Sequence, residues 1–127
     1  MRILIVEDSP LVRKMYGMVF PKRDHELSTA ENGRLALERL DAAPEGFDLI
    51  LLDLRMRDMN GVEFIEEVKR RGGTSGQIPI ILTTVEPDSS DLMHRAKALG
   101  VNAIVKKPWK PQDLRDVIQV VTREGIR

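Results

Sequence analysis

The chain has 127 residues, 42% of them hydrophobic and 31% charged, the size and balance of one compact domain with a core of its own. Twenty Lys and Arg offset twenty Asp and Glu, so no net field favours nucleic acid or an anionic membrane surface. Cysteine is absent, which excludes a disulfide framework and a thiolate metal site, and no apolar run approaches the roughly 20 residues of a membrane span.

The opening run, Ile3-Leu4-Ile5-Val6, is apolar throughout, of strand length, and too short for a signal-peptide core. Ser9-Pro10 then supplies a cap and a first-turn proline, and the spacing of Leu11, Met15 and Met18 makes them the inward face of a first helix. His25 to Ala30 is more polar and suits an edge strand. Ala36, Leu37 and Leu40 mark a second helix, followed by the apolar strand Leu49-Ile50-Leu51-Leu52. Asn60-Gly61 caps a third helix with Val62, Ile65 and Val68 inward, stopped by Gly72-Gly73. Ile78 to Leu82 reads as the fourth strand in chain order. A helix carrying Leu92, Ala96 and Leu99 follows, ending at Gly100. Ala103-Ile104-Val105 is the fifth strand, and Pro111 opens a last helix with Leu114, Val117, Ile118 and Val121 inward.

Four of the five strands lack polar alternation, as strands covered on both faces do. Five alternations of strand and helix therefore predict a doubly wound α/β fold, a parallel sheet with helices on both faces, over residues 1–127 as one domain. Right-handed crossovers bring the carboxyl ends of all strands to one edge, where ligands bind in such sheets. The polar residues at that edge are Glu7-Asp8 after the first strand, Asp53 after the third, Thr83-Thr84 after the fourth and Lys106-Lys107 after the fifth.

Three carboxylates drawn together repel, and a hard divalent cation such as Mg²⁺ relieves the conflict. His25 and His94 have no metal-spaced companion, so zinc is not expected. Mg²⁺ beside carboxylates attends phosphate chemistry, and an aspartate can act as the nucleophile that becomes an aspartyl phosphate. Phosphoryl transfer then requires mainly positioning and positive charge, which a lysine ammonium and a hydroxyl donor help to supply. Blander readings exist for each residue: Glu7-Asp8 as helix caps, Thr84 as a β-branched strand residue, Lys106 as a solvated lysine, and the methionines as packing. Trp109 suits either a surface anchor or a lid over the loop.

Taken in order, Val6-Glu7-Asp8-Ser9, Asp53-Leu54-Arg55-Met56 with Gly61, Thr83, and Gly100 with Lys107-Pro108 strongly resemble the receiver domains of bacterial two-component response regulators. The resemblance spans essentially the whole chain and is closest to the single-domain, chemotaxis-regulator type. It implies a five-stranded flavodoxin-like sheet of order 2-1-3-4-5, with Asp53 as phospho-acceptor. Asp8 and Asp53 are then direct Mg²⁺ ligands, with Glu7 acting through water and the Arg55 backbone carbonyl completing the set. Lys107 pairs with the phosphoryl group and Thr83 moves toward it on activation. The implied partners are a histidine kinase or phosphotransfer protein and a downstream protein reading the face of helix four, strand five and helix five; exposure of Met93 or Trp109 on that face is a further expectation for the contact. A cytoplasmic signalling switch, catalysing only its own phosphorylation and dephosphorylation, is expected.

The sequence departs from the family pattern at Arg57 and Ile104. Arg57 replaces a frequent proline. Ile104 stands where many receivers carry an aromatic residue that changes burial on activation. Arg55 and Val85 occupy positions that tune dephosphorylation, and neither can orient a hydrolytic water, so a long-lived phosphoryl group is expected. Two enzymatic or redox alternatives fit less well. A haloacid-dehalogenase-type phosphohydrolase needs a second Asp where Arg55 stands. A flavin carrier needs a phosphate-cradling first loop, where Glu7-Asp8 would repel the phosphate.

Overall fold

The structure, a computed structural model, describes residues 1–43 and 45–126. Strands β1 (Arg2–Val6), β2 (Glu26–Ala30), β3 (Leu49–Leu52), β4 (Ile80–Thr84) and β5 (Ala103–Lys106) alternate with helices α1 (Pro10–Val19), α2 (Gly33–Ala42), α3 (Gly61–Arg71), α4 (Asp91–Ala98) and α5 (Pro111–Ile126). All pairings are parallel, in the order β2-β1-β3-β4-β5. The polar strand β2 is indeed at an edge. β4 begins two residues later than Ile78 and runs through Thr84, which carries Thr83 inside the strand rather than beyond it.

The sheet divides the core in two. On one side Leu4, Val6, Ile50, Leu52 and Leu82 meet the inward faces of α2, α3 and α4; on the other Ile3, Ile5, Leu49, Leu51 and Ile81 meet α1 and α5. This two-sided burial is why these strands are apolar at every position, and each such side chain contributes roughly 1.5–3 kcal/mol by leaving water. Ser9, Asn32, Asn60 and Ser90 each accept a backbone N–H from the first turn of the following helix, satisfying donors that a helix start leaves open. Gly72 and Gly100 adopt positive φ where α3 and α4 stop, as glycine does without steric cost.

The inward faces expected for α2 to α5 agree with the structure, but α1 is rotated. Leu11, Met15 and Met18 are 69%, 37% and 76% exposed, whereas Tyr16, Val19 and Phe20 are buried and Val12 packs against them. Val12, Tyr16 and Val19 share the spacing of Leu11, Met15 and Met18, so periodicity alone could not choose between two stripes one residue apart. The entry turn chooses: Ser9 caps Val12, and the Arg13 guanidinium donates to the Glu7 carbonyl at 2.7 Å, which turns Tyr16 toward the sheet. Met93, read as packing, is fully buried, and Trp109 packs inward at 8% exposure rather than standing out as a surface anchor; they belong to the two opposite halves of the core, so neither is an exposed contact on the face of α4, β5 and α5.

Candidate functional site

Each edge residue is fixed by sheet hydrogen bonds that continue past the strand ends. The Glu7 amide donates to the Ala30 carbonyl (2.9 Å), the Asp53 amide to the Val6 carbonyl (3.1 Å), and the Lys107 amide to the Thr84 carbonyl (2.9 Å). The loop bearing Asp53 is held from below by α3. The Gly61 amide donates to the Leu54 carbonyl, and a Cβ on Gly61 would lie 2.8 Å from the Asp53 carbonyl oxygen and 2.9 Å from Leu54 Cα. Glycine is needed there for close approach of backbone to backbone.

Glu7, Asp8 and Asp53 meet at this edge, each offering a carboxylate oxygen, all within 4.8 Å of one another. Glu7 and Asp53 are buried, at 1% and 6% exposure, and Asp8 is half-buried. The Lys107 ammonium enters the same space, 2.6 Å from Glu7 Oε1 and 3.3 Å from Asp53 Oδ2. The Asp53 carboxyl is pushed up from its ordinary 3.8 to about 6, first by burial and then by the neighbouring Glu7, against the lowering pull of Lys107. One ammonium thus does not compensate the buried acids. The fit to a hard divalent cation is good: an all-oxygen donor set from two loops, with an excess of negative charge.

Arg55 donates its amide to Asp53 Oδ1 at 3.4 Å, while its side chain leaves the cluster and pairs bidentately with Glu86 at 3.0 and 3.1 Å. That pair ties the loop after β3 to the loop after β4. It holds the Glu86 carboxyl below its ordinary range. Thr83 is 1% exposed, and its hydroxyl lies 2.6 Å from the hydroxyl of Tyr16. Lys106 is exposed, as expected, with its ammonium on the Glu86 carbonyl and on Asp88 at 3.2 Å. His94 is exposed and His25 half-buried against Phe20.

The structure therefore brings together Glu7, Asp8, Asp53 and Lys107, with the Arg55 amide on Asp53 and Thr83 buried on the neighbouring strand against Tyr16. Tyr16, Glu86 and Trp109 were not assigned to the site by sequence. For Tyr16 a signal existed: a hydroxylated aromatic in the alternative stripe of α1, about two turns beyond the acidic pair.

The family model for the response regulator receiver domain matches residues 3–119. This chain belongs to the response-regulator receiver-domain family. Among similar receivers, the chemotaxis protein CheY1 of Helicobacter pylori is 33% identical over 122 residues, covering 95% of this chain and 96% of that protein. Chemotaxis response regulator CheY4 of Vibrio cholerae superposes with a TM-score of 0.81 at 31% identity, over 94% of this chain and 97% of the other. The receiver domain of a Syntrophus aciditrophicus histidine kinase superposes at 0.86 with 27% identity, over 99% and 92% of the two chains. Receiver domains are two-component signalling switches rather than classical enzymes, bind Mg²⁺ in an acidic site, and work with histidine kinases and downstream targets. Among the described residues no helix is long and apolar enough to cross a membrane.

Proposed function

We propose that residues 1–127 form one receiver domain in which Asp53 accepts a phosphoryl group from a histidine kinase or phosphotransfer protein in a Mg²⁺-dependent reaction. The observation that carries this reading is the meeting of three carboxylates and one ammonium at the carboxyl edge, with Lys107 between Glu7 and Asp53. Glu7, Asp8, Asp53 and the backbone carbonyl of Arg55 would hold Mg²⁺, which supplies charge neutralisation for the transferring phosphoryl group. Asp53 Oδ attacks phosphorus as the donor's leaving group departs. Lys107 stays beside the new phosphoryl oxygens, and the Thr83 hydroxyl turns to donate to one of them.

Phosphorylation adds roughly one to two negative charges at Asp53. Lys107 lies just past the end of β5 and Thr83 near the end of β4, so pulling both inward biases two arrangements of the following loops. A downstream protein reads the resulting face of α4, β5 and α5, without nucleic acid or membrane as the target. Arg55 is engaged by Glu86, and Val85 is 68% exposed and apolar; neither activates water, so the phosphoryl group is long-lived. Incubation with acetyl phosphate and Mg²⁺ followed by intact-mass measurement tests the reading. One phosphoryl group is expected on the wild type, with none on Asp53→Asn and none in chelator. Incorporation that persists in Asp53→Asn rules it out.

A further inference from the structure

Tyr16 lies outside every role assigned above, yet it touches the site on one side and the start of the last connection on the other. Its ring is 1% exposed. Its hydroxyl is 2.6 Å from Thr83 Oγ1, and its ring stacks on the indole of Trp109 with centroids 5.1 Å apart and planes tilted by 32°. Trp109 in turn follows Lys107-Pro108 in the loop that leaves β5. Ile104 on β5, half-buried and aliphatic, offers Thr83 no hydrogen-bonding group.

The direction of the Tyr16–Thr83 bond follows from acidity. A phenol is a stronger donor than an alkyl alcohol, and burial together with Glu7 and Asp53 pushes the Tyr16 hydroxyl further up, so it keeps its proton. Tyr16 donates to Thr83 Oγ1, which leaves Thr83's own proton free to give. A buried hydroxyl is costly to leave without a partner. A Thr83 that rotates therefore either takes Tyr16 along or strands it.

Resting on the reading of Asp53 as phospho-acceptor, we infer that Tyr16 is a positioning residue that ties Thr83 to Trp109: when Thr83 turns to a phosphoryl group on Asp53, Tyr16 follows and its ring shifts against the indole. The phosphorylation state thereby reaches the β5–α5 loop from helix α1, without an aromatic residue on β5.

The chain contains one Trp, so its intrinsic fluorescence reports on this contact. The experiment compares full-length wild type, Tyr16→Phe and Thr83→Val, each treated with acetyl phosphate and Mg²⁺. Phosphorylation is followed by intact mass in the same samples. Tyr16→Phe keeps the ring on Trp109 and removes only the hydroxyl; Thr83→Val removes the other end of the same bond while keeping the branched shape. Wild type is expected to change its Trp109 emission in proportion to phosphoryl content. Both variants are expected to lose that change per phosphorylated molecule. A wild type that takes up phosphoryl with unchanged emission overturns the inference, as does a Tyr16→Phe variant that keeps the full response. A wild type that takes up no phosphoryl group overturns the reading of Asp53 instead, and the inference falls with it.

Discussion

Replacing Asp53 by Asn in metal-free buffer should make the protein more stable near neutral pH. The Asp53 carboxyl titrates at about 6 rather than 3.8 because it is buried beside Glu7. As pH rises through that window the unfolded chain releases the proton first and the folded chain retains it. Stability therefore falls from about pH 4 to about pH 6 and is level above. At about 1.4 kcal/mol for each tenfold in acidity, the ionised carboxylate costs the folded state roughly 3 kcal/mol at neutral pH. The attraction of Lys107 is already included in that net figure. Asn carries no charge to bury, so Asp53→Asn should melt on the order of 10 °C higher near pH 7.5 in chelator. The gap should close as the pH drops to about 4. Thermal melts followed by circular dichroism across this range measure it. Adding Mg²⁺ should raise the wild type by mass action and narrow the gap. A variant no more stable than the wild type in neutral chelator, or a gap that widens in acid, refutes the account of Asp53.

Lys107→Met removes the ammonium from between Glu7 and Asp53 and should cost about 3 kcal/mol near neutral pH, as urea unfolding would show, together with slower phosphoryl uptake. Unchanged stability would mean that the pair carries no weight. Gly61→Ala inserts a methyl 2.8 Å from the Asp53 carbonyl oxygen; overpacking of about 1–3 kcal/mol is expected, with a measurable drop in phosphoryl uptake from the displaced loop. On α1, Met18→Glu should alter stability by no more than about 0.5 kcal/mol, whereas Leu114→Ala, at a fully buried position of α5, should cost roughly 2–5 kcal/mol. The opposite ranking would return the first helix to the orientation its methionines suggest.

The α/β layering was legible because strands buried on both faces need apolar residues at every position, as Leu49-Ile50-Leu51-Leu52 does. The carboxyl-edge residues were legible for a topological reason: parallel crossovers put all strand ends on one side, so Glu7, Asp8, Asp53 and Lys107 converge whatever the helix details. What escaped was phase and reach. Two stripes of α1 share one spacing, and only the Ser9 cap and the Arg13 contact with the Glu7 carbonyl set which is buried. Family spacing points to Val85, two residues beyond Thr83, yet the neighbouring Glu86 is the one that captures Arg55. A long arginine side chain finds its partner across 31 residues, and no local pattern encodes that.

The most direct test of the phospho-acceptor assignment is peptide-level mapping of protein treated with a small phosphodonor and Mg²⁺. A single modification labile to alkali and hydroxylamine is expected on the peptide that holds Asp53, and it should disappear when the cation is chelated. Modification on Glu7 or Asp8, or equal modification without the cation, would contradict it.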